Sequence, residues 1–482
     1  MQPMTSTTSA VGGAIDAIIR PKIIESLHGR FDGSVIEPDS PDYEQARTIW
    51  NAMVDKRPGL ILRCTSTADV VAAVDVARAF GLAPSVRCGG HNVAGKALSD
   101  GGLTIDLGGL RDVTVDAERH LAHVGGGCRL GDVDTATGPL GMIVPAGIMS
   151  ETGVAGLALG GGIGWFSRKH GLTCDQFVEL EVVLASGEVV TASAEQHPDL
   201  FWALRGGGGN FGVVTRFTFN TFDFGPMMRI GVSLYHPDDA AQALREYAAI
   251  YPTLGRHVGF HGALKHDMPA LPFVPPELVG ARMLMLISMW LEDADDPDGK
   301  ALIDRLGGVG EPAVTASTVL PFGAGVQHLI DEEFCDGHRY YTKEAHLQSL
   351  TDEAIDILVS FFRDMPMGGE VEILGLGGAI DDVPEDAAAF SNRQYQMWLN
   401  FAMAWDDASL DADYIARIRA CAAQLMPWTG NGVYVNMLNA DEDRADRVIE
   451  AYGQDKYAKL ARIKAQYDPE NLFRVNYNIA PR

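Results

Sequence analysis

The 482-residue sequence contains no run of about 18 apolar residues, so it offers no membrane-spanning helix. It has no GxxxxGK[ST] loop, which removes the usual support for ATP or GTP chemistry. Its six cysteines (Cys64, Cys88, Cys128, Cys174, Cys335 and Cys421) form no CxxC pair. Neither a zinc site nor a thioredoxin-like centre is therefore expected, no metal is assigned, and scattered thiols suit a reducing compartment. Basic residues are scarce: 38 Lys and Arg stand against 64 Asp and Glu, a formal net charge of -26. That sign repels phosphate backbones and anionic bilayers, so neither nucleic acid nor a membrane is an expected partner. A solvated acidic surface is the simplest source of the charge. The N-terminus lacks a basic leading region, and Asp16 interrupts its only apolar stretch. No signal peptide is expected, and a cytoplasmic location follows. No oligomeric state follows from the sequence.

What remains is an ordinary globular composition, 46% hydrophobic and 21% charged. The length suggests two or three domains. Ala14–Leu27 is weakly amphipathic. From Leu60 a strand (60–63), a helix (66–80, capped by Ser66 or Thr67) and a second strand (83–86) follow in order. Three short strands are expected over 102–124 and a hairpin over 178–191, turning at Ser186–Gly187. A short helix at 197–205 and a strand at 213–219 complete an α+β half. From about Phe224 glycine thins out. Helices at 238–250, 349–362 and 411–425 alternate with apolar strands at 282–291, 370–376 and 395–405, which predicts an antiparallel sheet with helices on one face. Met283, Met285 and Met289 read as strand core. A last helix covers 456–467 and stops at Asp468–Pro469.

Glycine is concentrated in three segments: Arg87–Gly95 (RCGGHNVAG), Gly153–Gly164 (GVAGLALGGGIG) and Gly206–Gly212 (GGGGNFG). Glycine admits positive φ and close backbone approach, and successive free N–H groups make a nest for pyrophosphate. Three such segments in one half favour a dinucleotide over tight turns alone. The GxGxxG string at Gly207, Gly209 and Gly212 follows a helix and precedes a strand, the reverse of the Rossmann order. His91 lies in a glycine turn directly after a strand. There an imidazole can act as a nucleophile, ligate a metal or cap the turn.

The segment Pro84–Gly95 resembles the attachment loop of the berberine bridge enzyme-like oxidases, within the vanillyl-alcohol oxidase/p-cresol methylhydroxylase flavoprotein superfamily. Further matches are Val144–Gly147, Gly156–Trp165, Arg168–Gly171, Asp199–Gly212, Tyr467–Arg474 and Asn478–Pro481, in the family's order. The resemblance implies a bipartite p-cresol methylhydroxylase-type FAD domain (55–224, completed by 426–482), with 1–54 as extension and domain start. An inserted antiparallel-sheet substrate domain (225–425) would roof it. It implies FAD bonded through its 8α-methyl carbon to His91. Val86, Arg87, Cys88, Gly89, Gly90, Asn92, Val93 and Gly95 would cradle the cofactor. So would Met149, Thr152, Gly153, Gly156, Gly160, Gly161, Gly162, Gly164, Trp165 and Val213, with Asn476 and Asn478 approaching the ring. Many relatives carry a second link, to C6, from a cysteine at the position of Met149. Methionine cannot form that thioether, so a single link is expected, as in the branch similar to 6-hydroxy-D-nicotine oxidase. Cys174 is the alternative thiol, with packing as its simpler role.

The implied reaction is hydride transfer from an alcohol, phenol or amine to FAD, with O₂ as acceptor; a dehydrogenase with another acceptor and a non-catalytic flavin binder are the rivals. The family's tyrosine base follows the asparagine of a Tyr-x-Asn-Tyr segment. Here that segment is Tyr434-Val-Asn-Met437, so the base is absent from its place. Tyr434 is the first candidate instead. Glu370 and Glu372 come next, with the solvent face of the sheet as the favoured location for both. Asn400 can bind substrate or satisfy a backbone group. The basic run Arg168–His170 can contact cofactor phosphate or cap a helix.

Overall fold

The computed structural model describes residues 14–430 and 432–482. The first half contains a four-stranded sheet, in the order Ser34–Ile36, Leu60–Arg63, Leu103–Asp106, Ser85–Arg87. A five-stranded antiparallel sheet follows, in the order Val113–Asp116, Leu121–Gly125, Val213–Asn220, Phe177–Val183, Val189–Ser193. The helix Thr67–Ala79 starts at Ser66, whose hydroxyl accepts from Asp69 N while the Asp69 carboxylate accepts from Ser66 N. This reciprocal cap fixes the helix behind both sheets. The expected piece from Ala14 begins as a helix only at Ile19.

The second half is a seven-stranded antiparallel sheet, in the order Val314–Pro321, Met227–Tyr235, Met283–Trp290, Val258–Lys265, Gly369–Gly375, Met397–Trp405, Arg339–Leu347. Alternation assigns its two faces. Val371, Ile373, Leu399 and Phe401 pack outward against the helices Ala240–Ile250, Asp352–Asp364 and Asp411–Leu425. Leu374 and Trp398 pack inward on the first half, as do Met283 and Met285 with Trp165 and Phe166. The central strands of the sheet are thus covered on both faces, which explains why those among them that escaped periodicity did so. Segments such as MMRIGVSLY (227–235) run apolar on both sides and show no alternation. The fold is α+β.

Two buried cations join the parts. Lys464 Nζ donates to Asn210 O, Asp468 Oδ2 and Phe473 O, which ties the C-terminal segment to the third glycine segment. Arg168 corrects an expectation. Its guanidinium does not line the cofactor-sized cavity described below; it donates to Val258 O at 3.2 Å, Leu254 O at 3.0 Å and also to Leu376 O. It therefore anchors the inserted sheet to the first half. Lys169 Nζ bonds Leu291 O at 2.6 Å, and His170 stacks on Phe222. No helix among the described residues is long and apolar enough to cross a membrane.

Arg168→Ala leaves these buried carbonyls without their donor and is expected to destabilise the protein by about 3 kcal/mol or more. A melting temperature equal to that of the parent protein would refute the anchoring role.

Candidate active site

The glycine segments and the inner face of the seven-stranded sheet enclose one cavity, with about 290 Å³ open to the centres of water molecules. Its floor depends on a backbone contact. A Cβ on Gly89 would sit 2.4 Å from Gly153 N, and one on Gly153 would sit 2.3 Å from Gly89 N. Any side chain at either position would push the two loops apart. Gly90, at φ +73°, then turns the chain so that His91 follows onto the wall. Val86, Cys88, Asn92 and Val93 line the cavity around it. Gly153 and Gly156 line it from the second segment, Met149 and Thr152 from just before that segment, and Val213 and Asn476 from beyond the third.

His91 is desolvated. Burial pushes its imidazole down to about 4, with Arg129 acting in the same direction, so the ring is neutral at pH 7. Nε2 has no hydrogen-bond partner among the described residues. Trp50 stacks on the ring at 4.4 Å between centroids and 16° between planes.

Several residues assigned to the cofactor stand off the wall. Arg87 turns its guanidinium to Ala46 O. Gly95, at φ +67°, is closed in by Val54. Gly160 abuts the Asn436 amide, Gly161 the Phe390 ring, Gly162 the Thr173 side chain and Gly164 the Ala146 carbonyl. These glycines serve close packing behind the wall, where a Cβ has no room. Trp165 lies against His261 at 5.7 Å between ring centroids, and Asn478 is absent from the wall while its Oδ1 is buried.

The opposite wall comes from three adjacent strands. In register, Glu344, Asn400 and Glu372 form one row; Thr342, Ala402 and Glu370 form the next. Asn400 Nδ2 donates to Glu372 Oε2 at 2.7 Å, and both residues line the cavity. Asn400 Oδ1 and Thr342 Oγ1 have no partner among the described residues. The solvent-face reading of Glu370 and Glu372 is therefore wrong. Both lie on the inner face, Glu370 buried and Glu372 half-buried, because the first half covers that side of the sheet. Burial raises the Glu372 carboxyl above its ordinary range, opposed by the Asn400 hydrogen bond. Glu370 is held by Lys265 at 2.6 Å, and the same ammonium bonds Glu333 at 2.5 Å.

Tyr434 lines the cavity, but its hydroxyl accepts from Gly162 N at 2.9 Å and from Asn436 Nδ2 at 2.8 Å. Burial raises its phenol above the ordinary value, so it stays protonated and braces the glycine turn. Cys174 lies in a short 3₁₀ turn; it is buried and absent from the wall, as its packing role implies.

Sequence reasoning missed other wall residues. Gly208, Gly209 and Asn210 line the cavity; the third glycine segment was expected at a dinucleotide, but these three were not singled out within it. Trp50, Thr342 and Trp398 carried no local signal; only the three-dimensional arrangement brings them there.

Glu344 lies behind the wall, accepting from Trp398 Nε1 at 2.8 Å and from Tyr434 N, and burial pushes its carboxyl up to about 8. The folded value lies above the unfolded one, so its stabilising contribution is full below the ordinary carboxylate range and is lost as pH rises towards 8. The unfolding free energy, read by denaturant titration at each pH, is expected to fall from pH 5 to pH 8 more steeply in the parent than in Glu344→Gln, by up to ~1.4 kcal/mol per pH unit. Parallel slopes would contradict this burial.

A family model described as "FAD binding domain" matches residues 58–193, and one described as "Berberine and berberine like" matches 433–480. The (R)-6-hydroxynicotine oxidase of Paenarthrobacter nicotinovorans is 30% identical over 94% of this chain and 97% of its own. An FAD-dependent monooxygenase of Cochliobolus heterostrophus is 41% identical over 86% of this chain and 83% of its own. Among solved structures, 6-hydroxy-D-nicotine oxidase from Arthrobacter nicotinovorans superposes with a TM-score of 0.81 at 28% identity, covering 94% of this chain and 98% of that one. A xylooligosaccharide oxidase from Myceliophthora thermophila, at 23% identity, shares the fold with a TM-score of 0.83, covering 95% and 99%. The chain belongs to the berberine bridge enzyme-like family of FAD-linked oxidoreductases.

Proposed function

We propose that this chain is an oxidase that removes a hydride from a small alcohol, phenol or amine, using FAD held by a single covalent bond from His91. The observation that carries the reading is the pairing, in one cavity, of a neutral histidine whose Nε2 has no partner among the described residues and a hydrogen-bonded Glu372–Asn400 pair. The residues present fit the cofactor. The Gly89–Gly153 contact and the Gly208–Asn210 backbone provide a side-chain-free bed for pyrophosphate, and the orphaned Nε2 lies on the same wall. Asn476, whose Nδ2 is fixed by Gly209 O at 2.8 Å, would meet the ring system. FAD, when bound, supplies the hydride acceptor and passes its electrons to O₂.

A single link is supported by the thiols. Met149 occupies the wall where a second tether would start. Cys88 is the one cysteine on the cavity wall among the described residues; its thiol faces Cys128 O at 3.3 Å, and burial pushes it up to about 11. The proposed domain division keeps the sequence boundaries: 55–224 with 426–482 for the cofactor, and 225–425 for the substrate.

On the substrate side, Glu372 takes the proton that leaves the substrate hydroxyl or amine. Burial raises its carboxyl above the ordinary carboxylate range, which makes it a stronger base once ionised. Asn400 orients the carboxylate through Nδ2 and presents Oδ1 to a substrate donor. Trp398 and Leu374 exclude water around them. Tyr434 acts as a brace.

Anaerobic substrate is expected to bleach the flavin, and air to restore it with one H₂O₂ per turnover; slow recovery in air would mark a dehydrogenase. Incorporation of oxygen from O₂ into the product would shift the reading to monooxygenation, the activity in the name of the Cochliobolus relative. No bleaching by any alcohol, phenol or amine tested would favour a binding protein. Glu372→Gln is expected to lower kcat/KM by about 100-fold or more. In the parent, kcat/KM is expected to rise with pH along an acid limb above the ordinary carboxylate range, since the base must be ionised. An unchanged profile in Glu372→Gln would place the base elsewhere.

A further inference from the structure

The imidazole of His91 is one member of a stack of rings. Trp50 covers one face of His91; Tyr340 covers the far face of Trp50 at 3.9 Å and 13°; Phe334 lies beyond Tyr340 at 6.4 Å and 27°. Hydrogen bonds fix the Trp50 indole in this position. Its Nε1 donates to Phe334 O at 2.7 Å, and its backbone N donates to Gly90 O at 3.3 Å. Asn51, next in the chain, donates to Val93 O at 2.8 Å and Tyr340 O at 2.9 Å and accepts from Tyr340 N at 3.0 Å. The Trp50–Asn51 corner is thus stitched both to the glycine loop that carries His91 and to the strand Arg339–Leu347 of the substrate sheet.

We propose that Trp50 is a positioning residue for covalent attachment of FAD: it holds the His91 ring in the orientation that bonds to the cofactor. The inference rests on the single-link reading above. Two physical effects combine. The stack removes the free rotation that an imidazole on a glycine-rich loop would otherwise have. Covering one face also keeps water from the ring, which favours the neutral form that can act as a nucleophile. Orientation of this kind is worth a large factor in rate, since a misplaced group loses on the order of 100-fold. The attachment replaces a C–H bond of the 8α-methyl group and an imidazole N–H bond with one C–N bond. Two protons and two electrons leave, and molecular oxygen takes them up as H₂O₂. Trp50 contributes no atom to this exchange.

The position of Trp50 also makes attachment depend on the substrate half. Phe334 and Tyr340 belong to that half, so the ring that orients His91 is itself seated only when the inserted sheet has docked.

The test compares purified holoprotein of the parent, Trp50→Phe, Trp50→Leu and Tyr340→Leu at matched times after induction. Total flavin per chain is read by absorbance, and the covalent share by in-gel fluorescence after SDS denaturation. Trp50→Leu is expected to retain bound FAD while its covalent share falls by roughly 10-fold or more. Trp50→Phe, which keeps a ring on His91, should recover most of it, and Tyr340→Leu should fall between. A covalent share equal to the parent's in Trp50→Leu overturns the proposal. So does an equal loss in Trp50→Phe and Trp50→Leu, which would indicate a merely structural role. If Trp50→Leu yields no folded protein, Tyr340→Leu decides: a parental covalent share there overturns it. Absence of any covalent band in the parent would instead overturn the single-link reading on which this inference rests.

Discussion

The site depends on one steric constraint, the contact of the Gly89 and Gly153 backbones. Neither position has room for a Cβ. The contact sets the loop after Ser85–Arg87 against the start of the helix Val154–Leu159 and leaves a floor of peptide groups. His91, two residues after Gly89, is carried onto the wall by that loop. Gly160, Gly161, Gly162 and Gly164 extend the same logic away from the cavity, where Asn436, Phe390, Thr173 and the Ala146 carbonyl take up the vacated space. Glycine here serves two ends, a bed for a ligand and a tight seam beneath it.

The facing wall works by electrostatics rather than shape. Burying the inner face of the seven-stranded sheet against the first half desolvates Glu344, Glu370 and Glu372. One of them, Glu370, is compensated by direct contact with the Lys265 ammonium; Glu372 has the Asn400 amide as its hydrogen-bond partner, feels Lys265 only at a distance, and is the one that reaches the cavity. A desolvated carboxyl with a neutral hydrogen-bond partner holds its proton more tightly than one in water, which makes it a stronger base once ionised. Across the cavity the same desolvation keeps His91 uncharged. A single physical cause, exclusion of water between two packed layers, therefore prepares both groups.

Much of this was legible in the sequence. The capped helix after Ser66, the hairpin turning at Ser186–Gly187 and the helix–strand alternation of the second half follow local rules, and the structure shows them. The family motifs pointed to the glycine segments because those are local too. Long-range facts were not legible. Alternation put Glu370 and Glu372 on one face but could not say which face the first half would cover. Arg168 read as a phosphate contact or a helix cap, and not as an anchor between the halves, because its carbonyl partners lie between 86 and 208 residues away in the chain. Trp50 stood in a segment without pattern, and only folding brings its ring to His91. Tyr434 kept its place on the wall, yet its hydroxyl was already engaged by Gly162 and Asn436.

The central claim is that His91 alone tethers FAD in this cavity, and peptide mapping tests it most directly. Tryptic digestion of the denatured holoprotein should release one flavin-bearing peptide, Cys88–Lys96, with the added mass of the flavin on His91 in its fragment spectrum. Flavin mass on Cys88, on Cys174 or on a second peptide, or a parent protein that retains FAD but yields no flavin peptide, would contradict the account.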